Sequence, residues 1–219
     1  MLFRSYYEQG KYSLAEELCI KALAARRRQQ GDDHPDTLTS MNNLGSLYKA
    51  QGKYAEAEEL LTEALAARRR QLGDDHPDTL NSMNCLGRLH QDQGKFTEAE
   101  ELLTEALAAS RRKLGNDHPN TLISMNNLGL AFEQQCKYSE AEELLTEALL
   151  AWRKQQGDHH RNMLNAEGNL GVVRIRQGGA AHAEGAAAVA SVLARLQALP
   201  HSLPETHAWV VKFLKALAP

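Results

Sequence analysis

Residues 31–72 read GDDHPDTLTSMNNLGSLYKAQGKYAEAEELLTEALAARRRQL, and residues 73–114 repeat them with ten changes in 42 positions. The second copy opens on Gly73-Asp74-Asp75-His76-Pro77-Asp78-Thr79-Leu80. A third opens on Gly115-Asn116-Asp117-His118-Pro119-Asn120-Thr121-Leu122, and a worn fourth on Gly157-Asp158-His159-His160-Arg161-Asn162-Met163-Leu164. The step is 42 residues each time. A unit of this length is one supersecondary element, and it buries its apolar face only by stacking on its neighbours.

Within the unit the spacing is helical. Leu38, Met41, Leu44, Gly45, Leu47 and Tyr48 recur at three- and four-residue steps, which marks one face of an α-helix. Gly52 interrupts that pattern. A second helix is predicted from about Lys53, with Ala57, Leu60, Leu61, Ala64 and Leu65 on its apolar face. It starts acidic (Glu56, Glu58, Glu59) and ends basic (Arg68, Arg69, Arg70), the order that the helix dipole favours. Gly73 closes it. Asp75-His76-Pro77-Asp78 then opens the next helix, with Pro in the first turn and Asp or His as the cap. Each unit is therefore a helix hairpin of about 34 residues plus a connector of about eight. No segment alternates as a half-buried strand would.

Composition narrows the function. The 219 residues are 42% hydrophobic, 24% charged and 5% aromatic, with a formal net charge of −3. That apolar content supports a folded core. The sequence pI near 6.3 lacks the basic excess of a nucleic-acid or anionic-membrane binder. No apolar run reaches the roughly 20 residues of a bilayer span. The opening Met1-Leu2-Phe3-Arg4-Ser5-Tyr6 lacks the layout of a signal peptide. Cys19, Cys85 and Cys136 are odd in number and form no CxxC pair. They argue against a disulfide framework or a cysteine zinc site, and for a reducing compartment such as the cytoplasm.

Met41-x2-Leu44-Gly45-x2-Tyr48, with Ala57 and Leu61, resembles the tetratricopeptide pattern. Met83, Leu86, Gly87, His90, Ala99 and Leu103 repeat it, as do Met125, Leu128, Gly129, Phe132, Ala141 and Leu145. The small residues let the two helices of a hairpin approach, and the large ones fill the gaps between hairpins. The 42-residue version, with Asn-Asn-Leu-Gly-x-Leu-Tyr, Gly-Lys-Tyr-x-Glu-Ala-Glu and Leu-Gly-x-Asp-His-Pro-Asp-Thr, is similar to the kinesin-light-chain type, shared with nephrocystin-like proteins. The resemblance implies an all-α, right-handed α-solenoid. It divides the chain into an array over 1–199, with a partial repeat 1–31 and repeats near 32–73, 74–115, 116–157 and 158–199. Residues 200–219 then form a C-terminal capping helix.

The ends depart from the pattern. Leu2 and Tyr6 take the places of Leu44 and Tyr48, so the chain opens inside the first helix of a repeat. Either it is a fragment or Leu2, Phe3 and Tyr6 are exposed. The last repeat has Glu167 where Met125 stood and Arg174 for Phe132. Atypical terminal repeats are expected where one face meets water. Ser202-Leu203-Pro204-Glu205 reads as a capping box before an apolar stripe of Trp209, Val210, Phe213, Leu214 and Leu217.

The motifs argue against catalysis. His34, His76 and His118 lie one repeat apart, and stacked helices sit about 8–10 Å apart. Such a ladder does not converge on one ion at about 2.0–2.2 Å. No HExxH, GxSxG, Walker loop or GxGxxG occurs. The reading is a non-enzyme without metal or cofactor. Arg26-Arg27-Arg28, Arg68-Arg69-Arg70 and Arg111-Arg112-Lys113 each follow a Glu cluster, so they read as solvated helix ends and not as an RNA surface.

By the resemblance, the first helix of each hairpin lines a concave groove. The inward sets are Thr39, Asn42, Asn43, Ser46, Lys49 and Ala50; Asn81, Asn84, Cys85, Arg88, Gln91 and Asp92; Ile123, Asn126, Asn127, Leu130, Glu133 and Gln134; and Asn165, Asn169, Val172 and Arg176. Five of the ten differences between the first two copies fall in these sets (39/81, 43/85, 46/88, 49/91 and 50/92). A binding surface tailored on a fixed scaffold would vary in this way, as would drift on an unpacked face.

The resemblance implies that Asn42, Asn43, Asn84, Asn126, Asn127 and Asn169 pair with the backbone of a partner peptide, since a carboxamide both donates and accepts. Lys49, Arg88 and Arg176 would favour acidic side chains. The alternative for the asparagines is a structural one, bridging adjacent hairpins. The function that follows is a scaffold or adaptor for a protein or peptide, without nucleic acid or membrane, monomeric or associating end to end. The rival is a structural or regulatory array that packs on itself or on other domains. Cys136 replaces the turn glycine of Gly52 and Gly94, where a side chain is expected to be strained.

Overall fold

The computed structural model describes residues 12–156 and 161–197. Nine α-helices run through them: α1 (Tyr12–Gln30), α2 (Pro35–Ala50), α3 (Tyr54–Leu72), α4 (Pro77–Asp92), α5 (Phe96–Leu114), α6 (Pro119–Gln134), α7 (Tyr138–Gln156), α8 (Arg161–Gln177) and α9 (Gly179–Gln197). No strand occurs among the described residues. The first-helix residues Leu2, Phe3 and Tyr6 and the capping helix expected at 200–219 lie outside them.

The helix starts follow from local chemistry. His34, His76 and His118 are the N-caps of α2, α4 and α6, with extended backbone. The Nδ1 of each accepts the backbone N–H two residues on, from Asp36, Asp78 and Asn120, at 3.2, 3.2 and 3.1 Å. Of the two cap residues expected, histidine is the one used. Pro35, Pro77 and Pro119 follow in the first turn, where a missing N–H costs nothing.

The hairpins close on glycine. A methyl group on Gly45 would lie 2.7 Å from Leu61 Cγ, and one on Gly87 would lie 2.7 Å from Leu103. Real side-chain carbons do not approach so closely, so these positions set the helix separation. Ala57, Leu61, Ala99 and Leu103 are fully buried opposite them. Each buried leucine contributes about 1.5–3 kcal/mol.

The chain divides into two compact units, Met1–Lys113 and Leu114–Pro219. In the first, α1 packs on α2, α2 on α3 and α3 on α4. Ala15, Cys19, Leu23, Leu38, Met41, Leu44 and Leu47 form one core there with Ala64 and Ala67. In the second, α6 packs on α7, α7 on α8 and α8 on α9. Its last core joins Val172, Ile175 and Val189.

Two departures of the last repeat are structural and not solvent-facing. Glu167 is 12% exposed and accepts from Arg195 at 2.5 Å, with Arg153 at 3.8 Å. Arg174 binds Glu142 at 2.8 Å. In the hairpin of α3 and α4 with α5, the matching glutamate, Glu58, is bound by Lys95. Gly179 stands where the lysine would be, and Arg174 supplies the cation from the preceding helix. The buried side of α9 is also displaced. Gly185, Val189 and Val192 face the core, while Ala183 and Ala187, the positions one repeat beyond Ala141 and Leu145, are exposed.

Candidate functional site

The face formed by the first helices is built in each unit by contacts across adjacent hairpins. In the first unit, Asn42 of α2 donates Nδ2 to Ser82 Oγ of α4 at 2.8 Å. Lys49 Nζ reaches Asp92 Oδ2 at 2.8 Å. Burial lowers the Lys49 pKa, the neighbouring Arg88 guanidinium lowers it further, and Asp92 opposes both. Asn84 donates to its own helix, at Leu80 O, at 2.9 Å.

The second unit uses the same positions with the charges exchanged. Glu133 of α6 takes the place of Lys49, Arg176 of α8 takes that of Asp92, and the two form an ion pair. Glu133 is 1% exposed. Asn169 donates Nδ2 to Asn126 Oδ1 at 2.9 Å.

These contacts sort the expected site residues by accessibility. Asn42, Asn84, Asn127 and Asn169 are buried, at 8% exposure or less. Asn126 and Lys49 are half-buried. Asn43, Arg88 and Arg176 are exposed. Asn43 and Arg88 have no hydrogen bond or ion pair among the described residues, whereas Arg176 is held by Glu133. The asparagine rungs at 42 and at 126/169 thus tie hairpins together. The open polar groups of the first unit sit beside them.

Sequence reasoning missed a clasp. Arg68 was expected in solvent at a helix end, yet it is 3% exposed. It donates to Ser82 Oγ at 2.9 Å, Asp78 O at 3.0 Å and Thr39 Oγ1 at 3.0 Å. Arg26 makes the same reach one repeat earlier, to Ser40 Oγ and Asp36 O. The signal was present: Arg26 and Arg68, like Ser40 and Ser82, recur at the 42-residue step. The neighbouring arginines are also committed. Arg27 binds Glu63 and Asp32, Arg69 binds Glu105 and Asp74, and Arg70 binds Asp33.

Among the described residues no group of three or more His, Cys, Asp or Glu is arranged to hold a metal. No helix there is long and apolar enough to cross a membrane.

The tetratricopeptide repeat family model matches residues 4–70, 44–111 and 78–149. No curated protein sequence matches the chain. Among solved structures it is similar to a kinesin-light-chain candidate from Podosopora anserina with nearly identical TPR-like repeats. The identity is 29% and the TM-score 0.70, over 90% of this chain and 94% of that one. A point variant of the same protein matches with the same identity and TM-score, over 89% and 91%. BtubC (BKLC) from P. vanneervenii shares the fold, with a TM-score of 0.70 at 22% identity over 94% of this chain and 84% of that one. The chain therefore belongs to the tetratricopeptide repeat family, as an all-α solenoid of the kinesin-light-chain type and a protein-binding repeat scaffold.

Proposed function

We propose that the chain is a non-enzymatic cytoplasmic adaptor whose first-helix face holds a peptide or helix of a protein partner. The observation that carries this reading is where the duplicates differ. Half of the ten changes between residues 31–72 and 73–114 fall on that face, while Met41, Leu44, Gly45, Ala57 and Leu61 of the hairpin core are kept as Met83, Leu86, Gly87, Ala99 and Leu103. Asn43 and Arg88 would make the direct contacts in the first unit, Asn43 to the partner backbone and Arg88 to an acidic side chain. Lys49 and Arg176 already hold carboxylates, so their pull on an acidic partner is weaker than the sequence implied. Asn42 and Asn84 in the first unit, and Asn126, Asn127 and Asn169 in the second, support the first-helix face of their own unit from within or at its edge. The array boundaries near 32–73, 74–115, 116–157 and 158–199 complete the reading.

A random peptide library displayed on phage and selected against the full chain tests it. The enriched peptides should carry Asp or Glu, and Asn43→Ala with Arg88→Glu should abolish their capture. Enriched peptides that bind the double variant as well as the parent would overturn the groove reading.

A further inference from the structure

A second surface, built by the second helices, shares none of the residues assigned above. Between α3 and α5 lies an open cleft of about 420 Å3. Leu65 of α3, Leu102 of α5 and Leu86 of α4 line it, together with His90. His90 is particular to this repeat. The same position is Tyr48 one repeat earlier and Phe132 one repeat later, so a smaller ring leaves the cleft less filled.

The rim of the cleft is acidic. Glu98 and Glu101 of α5 line it, and both are exposed. Neither has a hydrogen bond or ion pair among the described residues. The lining arginine, Arg69, is held by Glu105 at 2.7 and 2.8 Å and by Asp74 at 2.9 Å. The rim thus keeps two uncompensated carboxylates over an apolar floor. Lysine and arginine side chains match that arrangement, because an aliphatic stem packs on leucine while the charged head stays at the acidic edge.

We propose that this cleft docks a basic amphipathic segment of a protein partner, with its apolar side chains and lysine or arginine stems on Leu65, Leu86 and Leu102 and its cationic heads on Glu98 and Glu101. The surface is independent of the first-helix face, and each stands or falls alone.

The test uses the full chain and a fluorescently labelled helical peptide with leucines at i, i+3 and i+4 flanked by lysines. A peptide with every lysine changed to glutamate is the counterpart. Anisotropy should show saturable binding of the lysine peptide and none of the glutamate peptide. Glu98→Gln with Glu101→Gln should weaken it about tenfold. Both residues are exposed, so the fold is not at stake. His90→Phe should weaken it by filling the cleft with the residue that the next repeat carries there, with helicity checked by circular dichroism. Arg88→Ala should leave it unchanged. The proposal is overturned if the lysine peptide does not saturate, if the double glutamine variant binds it like the parent, or if the glutamate peptide binds equally well.

Discussion

Cys136 is the one non-glycine residue with positive φ among the described residues, at 60°, in the turn where Gly52 and Gly94 have 76°. A side chain costs about 1–2 kcal/mol in left-handed backbone, of which glycine gives back part through its freedom in the unfolded chain. Cys136→Gly should therefore stabilise the protein by about 0.5–1 kcal/mol, read as a higher urea midpoint at unchanged m-value. An unchanged or lower midpoint would show that the Cys136 contact with Tyr138 outweighs the strain.

His90 carries a second prediction at the same scale. Burial pushes its pKa below the ordinary value of 6.5, with Glu58 opposing and Lys95 adding to the shift. The unfolded chain thus takes up a proton at this residue before the folded chain does, and stability falls as the pH drops through 6.5. His90→Phe should reduce the slope of stability against pH in that range, measured by urea unfolding from about pH 7.5 to 5.5. An identical slope in parent and variant would remove His90 from the acid response.

Helix ends and inter-hairpin contacts set the element scale. Arg68 and Arg70 are two residues apart in one basic run, and their surroundings are opposite. Arg68→Ala breaks three hydrogen bonds at a buried site and should cost about 2–4 kcal/mol. Arg70, whose side chain is 65% exposed and paired with Asp33 at 3.3 Å, should cost within about 0.5 kcal/mol as alanine. Equal losses in chemical denaturation would mean that the clasp does not hold the hairpins. A related rung joins Lys53 to Glu16 and Lys95 to Glu58. Hydrogen bonds from Lys53 and Gln51, and from Lys95 and Gln93, hold those two carboxyls below their ordinary value of 4.5. Their contribution is fully present above 4.5 and is lost as the pH falls below it. Glu58→Gln should therefore lower stability at neutral pH and flatten the acid limb of unfolding below 4.5.

At the scale of the whole molecule, stability in a repeat array is a sum over neighbours. Residues 1–113 form one compact unit. A fragment ending at Lys113 should keep a helical circular dichroism spectrum and unfold cooperatively, at lower urea than the full chain. A fragment without cooperative unfolding would show that the unit depends on the rest of the array.

The hairpin, its caps and its glycine contacts were legible in residues 31–72, because helix periodicity, His-Pro starts and Leu-Gly approaches act within a few residues and recur every 42. The asparagine ladder and the arginine runs were legible as patterns but not as roles. Whether Asn42 meets a partner or Ser82, and whether Arg68 meets water or Thr39, depends on side chains about 29–40 residues away. The displaced packing of α9 and the exchanged charges of Glu133 and Arg176 are of the same kind. Local spacing fixes helices and their order. Burial and pairing arise only where the helices meet, and there a group's neighbours decide whether it stays open for binding.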